Sequence, residues 1–216
     1  RLLARATSKG YNKVFVDALV LVKKDRLNAG NVLETYFKGQ NNYTSYWPDD
    51  QEVRKSVVNL TFYDKISKAR QRMILEAVED YLRGWVGTSE SAAGTKGKRG
   101  TFQIEHVMPQ SWQTHWPLPA EMNERDRNEL VQRIGNLTLL SEKLNKDVSN
   151  NPWITSGSKV GKREKVTEND LLQMNKKLLV LAQDDWSDEK IQQRTTSMID
   201  AILSIWKVPE NHTVVF

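Results

Sequence analysis

The chain has three histidines, at positions 106, 115 and 212, so any catalytic imidazole must be one of these. An imidazole with a pKa of about 6.5 can accept a proton near neutral pH. His106 has the neighbours of greatest interest, because Glu105 precedes it and Pro109 turns the chain soon afterwards. Adjacent side chains on a strand point to opposite faces, so Glu105 and His106 can share one site only if the strand twists or breaks there. We interpret His115 and His212 as incidental.

Composition excludes several other kinds of site. The 216 residues include no cysteine, which excludes a thiolate zinc site, a cysteine nucleophile and a disulfide framework. Three histidines are too few for a histidine-rich metal cage, and the sequence contains no phosphate-binding Gly-x-x-x-x-Gly-Lys-Ser/Thr loop. Because nothing indicates export to an oxidising compartment, we expect a cytoplasmic protein.

Basic residues outnumber acidic ones. The chain has 32 Lys and Arg against 27 Asp and Glu, and the resulting net charge of +5 weakly favours polyanionic partners. Residues 65–72, 96–99 and 159–165 are basic clusters, although each could instead be an ordinary solvated face. The longest apolar stretch near the start, residues 14–22, contains Asp17 and is too short to span a bilayer, so we expect no membrane partner.

The spacing of apolar residues predicts helices in the N-terminal part of the chain. One helix is predicted over about residues 5–24, and another over residues 64–83 with Gly84 as its C-terminal stop. The side chains predicted to face inward are Val14, Phe15, Ala18, Leu19, Val22, Ile66, Ala69, Met73, Ile74, Ala77, Val78 and Tyr81.

The C-terminal third is also predicted to be helical. Thr167 with Asp170 resembles a capping box before an apolar helix. Ser187 can cap a last helix, and we expect Trp206 to lie in the core on the apolar face of that helix.

The centre of the chain is predicted to contain two short strands. Residues 101–107 alternate as a strand does, and residues 136–140 have the pattern of a second strand. A polar helix is predicted between them, over residues 119–134. Ser141 can cap a further helix that carries Asn145. Helices are therefore expected to form a shell around a central strand-strand-helix unit.

The order of these motifs resembles the ββα-metal fold of HNH, or His-Me finger, nucleases. It is more closely similar to the C-terminal nuclease domain of GmrSD-type modification-dependent restriction enzymes, a domain that the SspE nucleases share. The resemblance covers about residues 101–153 and implies a mainly α fold around a small central ββα-metal unit. The matching motifs are Ile104-Glu105-His106 with Pro109-Gln110, then Gly135-Asn136-Leu137-Thr138-Leu139-Leu140 and Leu144-Asn145.

The resemblance implies a role for each motif residue. His106 would be the base that activates water, and Glu105 with Asn145 would hold one Mg²⁺ or Mn²⁺ through oxygen atoms. Asn136 would support catalysis structurally, by pinning the long loop and holding the orientation of the imidazole. The chain departs from many HNH enzymes in two ways, since Glu105 is one methylene longer than their Asp and the cysteine pairs that staple some HNH domains are absent.

Contacts with DNA are predicted around these motifs. Basic side chains in the Gly-rich segment and after the motifs would bind the phosphate backbone without sequence preference. A tryptophan that flanks the site is a candidate for base stacking, with a core position as the alternative. The candidate DNA-contacting residues are Lys96, Lys98, Arg99, Lys146, Lys162 and Trp112.

The implied function is that of a metal-dependent DNA endonuclease that nicks one strand and leaves 5′-phosphate ends. The resemblance also implies that an upstream NTP-hydrolysing domain senses DNA modification, in the defence of bacteria or archaea against phage. Two alternatives stay open. One is a non-catalytic DNA-binding or docking module that has kept the HNH scaffold, and the other is an RNA nuclease.

These inferences divide the chain into four segments. We predict a helical N-terminal part (residues 1–86), a flexible basic loop (87–100), the ββα-metal nuclease core (101–153) and C-terminal helices that pack on the core (154–216). Because the chain begins with Arg1 and not with Met, we expect it to be a fragment of a larger protein.

Overall fold

Helices dominate the structure, a computed structural model that describes residues 1–84, 102–148, 150–169, 172–210 and 212–214. Within these ranges there are ten α-helices and one sheet of two strands, which confirms a mainly α fold with a small central sheet. None of the described helices is long and apolar enough to cross a membrane. The strands are β1 (Phe102–His106) and β2 (Leu137–Ser141). The helices are α1 (Tyr11–Lys24), α2 (Ala29–Lys38), α3 (Asp50–Val57), α4 (Phe62–Lys65), α5 (Lys68–Leu82), α6 (Glu124–Val131), α7 (Glu142–Val148), α8 (Lys162–Asn169), α9 (Gln173–Leu181) and α10 (Asp188–Ile205).

The chain divides into two compact units. The first consists of Arg1–Val57 and Trp206–Phe216 and contains α1, α2 and α3. The second, Val58–Ile205, contains both strands and the other seven of the described helices. The four predicted segments stay predictions, and the predicted flexible loop lies outside the described residues.

Two features of the first unit differ from the sequence predictions. Helix α1 forms within the predicted range, but Phe15 and Leu19 are 52% and 60% exposed and only Ala18 is buried. Trp206, which was expected in the core, follows the last residue of α10 and is 45% exposed. The spacing of apolar residues reveals which side chains share a helix face, but it does not reveal whether another element covers that face.

The sheet of the second unit is an antiparallel pair. His106 lies opposite Leu137, and Phe102 lies opposite Ser141. Helix α7 follows β2 without a break, and the hydroxyl of Ser141 accepts a hydrogen bond from the amide of Leu144 at 3.3 Å, as a helix cap does. Both predicted strands are therefore confirmed to within one residue at each end, and so is the helix that follows them.

Helix α5 packs against β2 and α10 inside the second unit. It buries Ile74, Leu75 and Val78, and Gly84 follows its end with a φ of +80°, in the left-handed conformation predicted for the stop. Met73, which was predicted to face inward, is half exposed. The apolar stripe of α5 is thus narrower than its sequence pattern indicates.

Helix α10 holds the turn that leads into β2. This turn, Ile134–Asn136, is a single 3₁₀ turn. A Cβ atom on Gly135 would overlap the carbonyl oxygen of Ile191, so only glycine permits this close approach. The buried guanidinium of Arg194 donates to the carbonyl oxygens of Gly135 and Leu137 at 2.6 and 2.8 Å. The start of β2 is therefore fixed by both packing and hydrogen bonds.

Two predicted helix starts after β1 were wrong. The helix expected over residues 119–134 is shortened to α6, because the side chain of Asn123 accepts a hydrogen bond from the amide of Asp126 at 2.9 Å and caps the helix there. Thr167 does not begin a helix, since it lies inside α8 and its hydroxyl donates to the carbonyl of Arg163 at 2.8 Å. Threonine can bond the backbone in this way within a helix as well as at its start.

Candidate active site

The end of β1 carries the adjacent acid and imidazole of the sequence motif. His106 is the last residue of β1 and is 8% exposed, while Glu105 is half-buried. Their side chains have different neighbours, since His106 contacts Tyr63 and Gln132 whereas Glu105 is paired with Lys162. The ammonium of Lys162 also bonds the backbone carbonyl oxygen of His106, so it links the Glu105 side chain to the backbone of His106 and not to its imidazole.

The imidazole of His106 is held by a ring contact and a hydrogen bond. It meets the ring of Tyr63 edge to face, with the ring centres 4.3 Å apart. The ammonium of Lys68 lies 3.0 Å from the centre of the Tyr63 ring. Nε2 of His106 lies 3.1 Å from Oε1 of Gln132, and the backbone carbonyl of Gln132 accepts a hydrogen bond from the Tyr63 amide at 3.0 Å. These contacts fix the orientation of the imidazole.

Gln132 also determines which imidazole nitrogen carries the proton. Its Oε1 accepts a second hydrogen bond from the side-chain amide of Gln110 at 3.3 Å. An amide oxygen can only accept, so His106 donates through Nε2 and leaves the lone pair on Nδ1. In this form the imidazole can act as a base through Nδ1.

Burial controls the charge of His106. It lowers the pKa of His106 to about 4, because the imidazolium form loses its hydration. The hydrogen bond to Gln132 raises this pKa, while the charges of Lys162 and Lys68 lower it further. The imidazole is therefore neutral near pH 7, which is the protonation state that a general base requires.

Asn136 pins the loop that follows β1. Its Oδ1 accepts hydrogen bonds from the amide of Met108 at 2.8 Å and from the indole of Trp186 at 2.9 Å. Its Nδ2 donates to the carbonyls of Met108 and Val131 at 2.8 and 2.9 Å. The side chain is fully buried, and all four of these bonds go to the loop and its supports. The imidazole of His106, in contrast, is held by Gln132.

Asn145 lies on α7, and its side-chain oxygen accepts no hydrogen bond from the described residues. Its Nδ2 donates to Oε1 of Gln103 at 2.8 Å, while its Oδ1 is buried and has no hydrogen-bond partner among the described residues. Gln103 and Glu105 are two residues apart on β1, so their side chains leave the same face of the sheet. Asn145 therefore lies on the Glu105 side of the strand.

The donor atoms on this face fit a hard divalent cation. The described residues contain no group of three or more His, Asp or Glu side chains placed to hold a metal. The candidate ligands are those of the sequence motif, the carboxylate of Glu105 and the amide oxygen of Asn145. Both are oxygen donors, which Mg²⁺ and Mn²⁺ prefer. The buried Oδ1 of Asn145 gives the strongest support for a bound cation. It has no hydrogen-bond partner among the described residues, whereas a buried polar atom normally has one.

Lys162 is a buried residue that pairs with Glu105 on this face. It is 2% exposed, and its ammonium donates to Oε1 of Glu105 at 2.9 Å and to the His106 carbonyl at 2.8 Å. Burial lowers the pKa of Lys162, and the carboxylate of Glu105 opposes that shift. Its position is that of a charge partner for Glu105 inside the protein.

A family model for GmrSD restriction endonucleases, C-terminal domain, matches residues 47–201, which is more than half of the chain. The chain belongs to this family. The match includes both strands, α7 and every residue of the cluster around His106, and it confirms the GmrSD-type resemblance inferred from the motifs. Comparisons with curated proteins and with solved structures gave no match. As a GmrSD C-terminal domain, the protein is a nuclease domain of restriction enzymes.

The residues predicted to contact DNA lie in different environments in this GmrSD C-terminal domain. Lys146 is exposed on α7 and pairs with Glu142 at 2.7 Å. Trp112 is buried, and its indole donates to the side chain of Asn128 at 2.8 Å, so its ring lies in the core and not on a stacking surface. Lys162 is buried against Glu105, as described above. The other three, Lys96, Lys98 and Arg99, lie outside the described residues.

Two residues of the GmrSD site, Gln132 and Tyr63, were not predicted from the sequence. Gln132 is one of several polar residues before the Ile134–Asn136 turn, and nothing in the local pattern marks it as the partner of His106. Tyr63 reaches the imidazole from the segment before α5. A weak pointer was the Gln110 of the Pro-Gln motif, because Gln110 bonds the same oxygen of Gln132.

Proposed function

We propose that this GmrSD C-terminal domain is an HNH-type, metal-dependent DNA endonuclease that cuts one strand at a time. The proposal rests mainly on the arrangement of side chains at the end of β1. There a neutral imidazole with its lone pair on Nδ1 adjoins Glu105, and the partnerless Oδ1 of Asn145 lies on the Glu105 side of the strand. Membership of a restriction endonuclease family supports DNA as the substrate.

His106 removes a proton from the attacking water. Nδ1 accepts this proton, and the Nε2–H bond to Gln132 stabilises the imidazolium that forms. The pKa of about 4 applies to the site without DNA. A phosphate beside the ring raises that pKa, because a nearby negative charge favours the imidazolium form. The phosphate thus favours proton transfer to Nδ1, and the divalent cation proposed beside His106 opposes it.

Glu105 and Asn145 would hold the divalent cation, Mg²⁺ or Mn²⁺. When bound, the cation supplies positive charge that stabilises the transition state and the departing 3′ oxygen. Departure of the 3′ oxygen leaves 5′-phosphate ends. Asn136 contributes indirectly, since it holds the loop after His106 in place.

The biological setting is inferred from the family. We infer that the domain acts in bacterial or archaeal cytoplasm against phage DNA, together with an NTP-hydrolysing domain that senses DNA modification. Its description as a C-terminal domain of restriction endonucleases supports this setting. The net charge of +5 and the exposed Lys146 favour contact with the phosphate backbone.

A plasmid-nicking assay tests the proposal. Supercoiled DNA is incubated with the chain and either Mg²⁺ or Mn²⁺, and with the variants His106→Ala, Glu105→Gln and Asn145→Ala. Lys176→Met, which changes an exposed residue on α9, is the control. We expect open-circular product from the parent and the control, none in EDTA, and a loss of about 100-fold or more for His106→Ala.

Three results would contradict the proposal in different ways. Intact plasmid under every metal would favour the non-catalytic DNA-binding module. If His106→Ala cut DNA at the parent's rate, His106 would not be the general base. Cleavage of RNA in preference to DNA would favour an RNA nuclease.

A further inference from the structure

A lysine charge is buried beside the proposed metal ligand. Lys162 is the first residue of α8, where the amides of Lys162 and Arg163 donate to the carbonyls of Pro152 and Trp153 at 2.8 and 3.0 Å. A positive charge is unfavourable both in a buried position and at the N terminus of a helix. The fold nevertheless keeps this residue only 2% exposed. The anionic partner of Lys162 must therefore stabilise it substantially.

That partner is Glu105. The ammonium donates to Oε1 of Glu105 at 2.9 Å and to the carbonyl of His106 at 2.8 Å. Oδ1 of Asn145, in contrast, has no hydrogen-bond partner among the described residues. The two proposed metal ligands thus differ in their partners. The carboxylate of Glu105 is already paired with an ammonium, and the amide oxygen of Asn145 is not bonded to any described group.

We propose that Lys162 is an internal counter-ion that competes with the divalent metal for the carboxylate of Glu105. This inference rests on the proposed metal site. An ammonium and a divalent ion that share one carboxylate repel each other, so metal binding must weaken the pair between Lys162 and Glu105. Lys162 therefore lowers the affinity for metal, and it keeps Glu105 neutralised when no metal is bound.

A purely structural role for Lys162 predicts the opposite result. If the ammonium served only to hold Glu105 in position, its removal would misplace a ligand and weaken metal binding. A competing charge predicts tighter binding after its removal. The direction of the change in metal affinity therefore separates the two roles in any variant that folds.

The test is calorimetric titration of Mn²⁺ into the chain near neutral pH. Lys162→Met removes the charge and keeps the length of the side chain, while Lys162→Gln removes the charge and keeps a hydrogen-bond donor. Lys162→Arg keeps the charge. Lys176→Met removes one charge from an exposed position on α9 and serves as the matched control. Glu105→Gln removes the shared carboxylate.

We expect both neutral variants of Lys162 to lower the dissociation constant for Mn²⁺ by about tenfold or more, since they remove a like charge next to the ion. Lys162→Arg and Lys176→Met should stay within about threefold of the parent. Mn²⁺ should also raise the melting temperature of Lys162→Met more than that of the parent, because tighter binding to the folded state stabilises it more. If Lys162→Met does not fold, Lys162→Gln decides.

Two results would overturn the inference, and they are distinguishable. If Glu105→Gln abolishes Mn²⁺ binding but the neutral variants bind no tighter than the parent, Lys162 is not a competitor and the proposed metal site stands. If Glu105→Gln binds Mn²⁺ as the parent does, or no form of the chain binds it, the proposed metal site itself is wrong and the competition fails with it.

Discussion

Gln132 is the residue on which the tautomer of His106 depends. Its side-chain oxygen accepts from Nε2 of the imidazole at 3.1 Å and from Gln110 at 3.3 Å. This arrangement fixes the tautomer and stabilises the charged form that appears when Nδ1 takes a proton. In the proposed mechanism Gln132 is therefore a positioning residue, which would act through His106 and not on the substrate.

Replacing Gln132 with Met tests this role. We expect kcat for plasmid nicking to fall about 10- to 100-fold with little change in KM, because a supporting hydrogen bond to a functional imidazole typically contributes this much. Gln110→Met is the control, since it removes only the second donor to the same oxygen. A Gln132→Met protein with the parent's kcat would contradict the role.

The buried imidazole also predicts how stability depends on pH in EDTA. The pKa of His106 is lowered from 6.5 to about 4 in the folded protein. Between these values the unfolded chain binds a proton that the folded chain does not, so stability falls as the pH drops through this window. At about 1.4 kcal/mol for each pKa unit, the loss amounts to about 3 kcal/mol.

Urea unfolding near pH 7 and near pH 5 measures this effect. The comparison is with His106→Asn, which removes the titrating group, so carboxylates that titrate in the same range contribute equally to both proteins. We expect the parent to lose more unfolding free energy than His106→Asn on acidification. An equal loss in the two proteins would indicate that His106 titrates normally in the folded state.

The sequence predicted the adjacent acid and base but not the residues that hold them. Glu105 and His106 are neighbours in the chain, so a motif can specify them. Gln132 lies 26 residues from His106, and Lys162 lies 57 residues from Glu105. Such contacts depend on how β1, α6 and α8 pack, and no local pattern encodes that packing. The sequence therefore left Lys162 as a candidate phosphate contact.

At the scale of elements, the Ile134–Asn136 turn joins the site to the core. Asn136 bonds the loop after β1, and Arg194 of α10 bonds the carbonyls on both sides of Asn136. A movement of α10 would therefore displace the start of β2 and the loop after β1 together. The geometry of His106 thus depends on a helix that contributes no motif residue.

Gly135→Ala tests this connection. The added Cβ would overlap Ile191 and Thr195 of α10, so we expect the free energy of unfolding to fall by about 1–3 kcal/mol or more. Gly30→Ala is the control, because Gly30 lies in α2 with no atom within 4 Å of the new Cβ. The free energy of unfolding of that variant, measured by chemical denaturation, should rise by about 0.5–1 kcal/mol. Equal effects of the two substitutions would contradict the close packing at Gly135.

The elements that the sequence predicted well are those with local signals. The residues of β1 alternate between apolar and polar, those of β2 form a short and mainly apolar run, and Ser141 caps α7 within its own sequence neighbourhood. The apolar face of α1 was predicted to be buried, yet Phe15 and Leu19 are exposed. The spacing of apolar residues does not indicate which element, if any, packs against a helix. The Thr167 box was wrong for a related reason, since the same hydroxyl can bond the backbone inside a helix.

At the scale of the whole molecule, the described residues contain one set of His106, Glu105 and Asn145. In the proposed mechanism, one set of this kind would perform one hydrolysis event at a time. A double-strand break would then need two copies of the domain or two successive events. The chain as a whole is therefore expected to behave as a nicking enzyme.

The order of products from supercoiled plasmid tests this expectation. Open-circular DNA should accumulate first, and linear DNA should appear later, only as the open-circular form declines. A quenched time course with Mn²⁺, resolved by agarose electrophoresis, measures both products. Linear DNA that forms directly, in parallel with the open circle from the earliest times, would indicate paired active sites.

The most direct test of the account is a crystal structure of the chain with Mn²⁺, with anomalous diffraction to locate the metal. We expect a single strong anomalous peak bonded to a carboxylate oxygen of Glu105 and to Oδ1 of Asn145, with His106 adjacent to it. A peak at other residues, or Asn145 with its Oδ1 turned away from the ion, would contradict the proposed site.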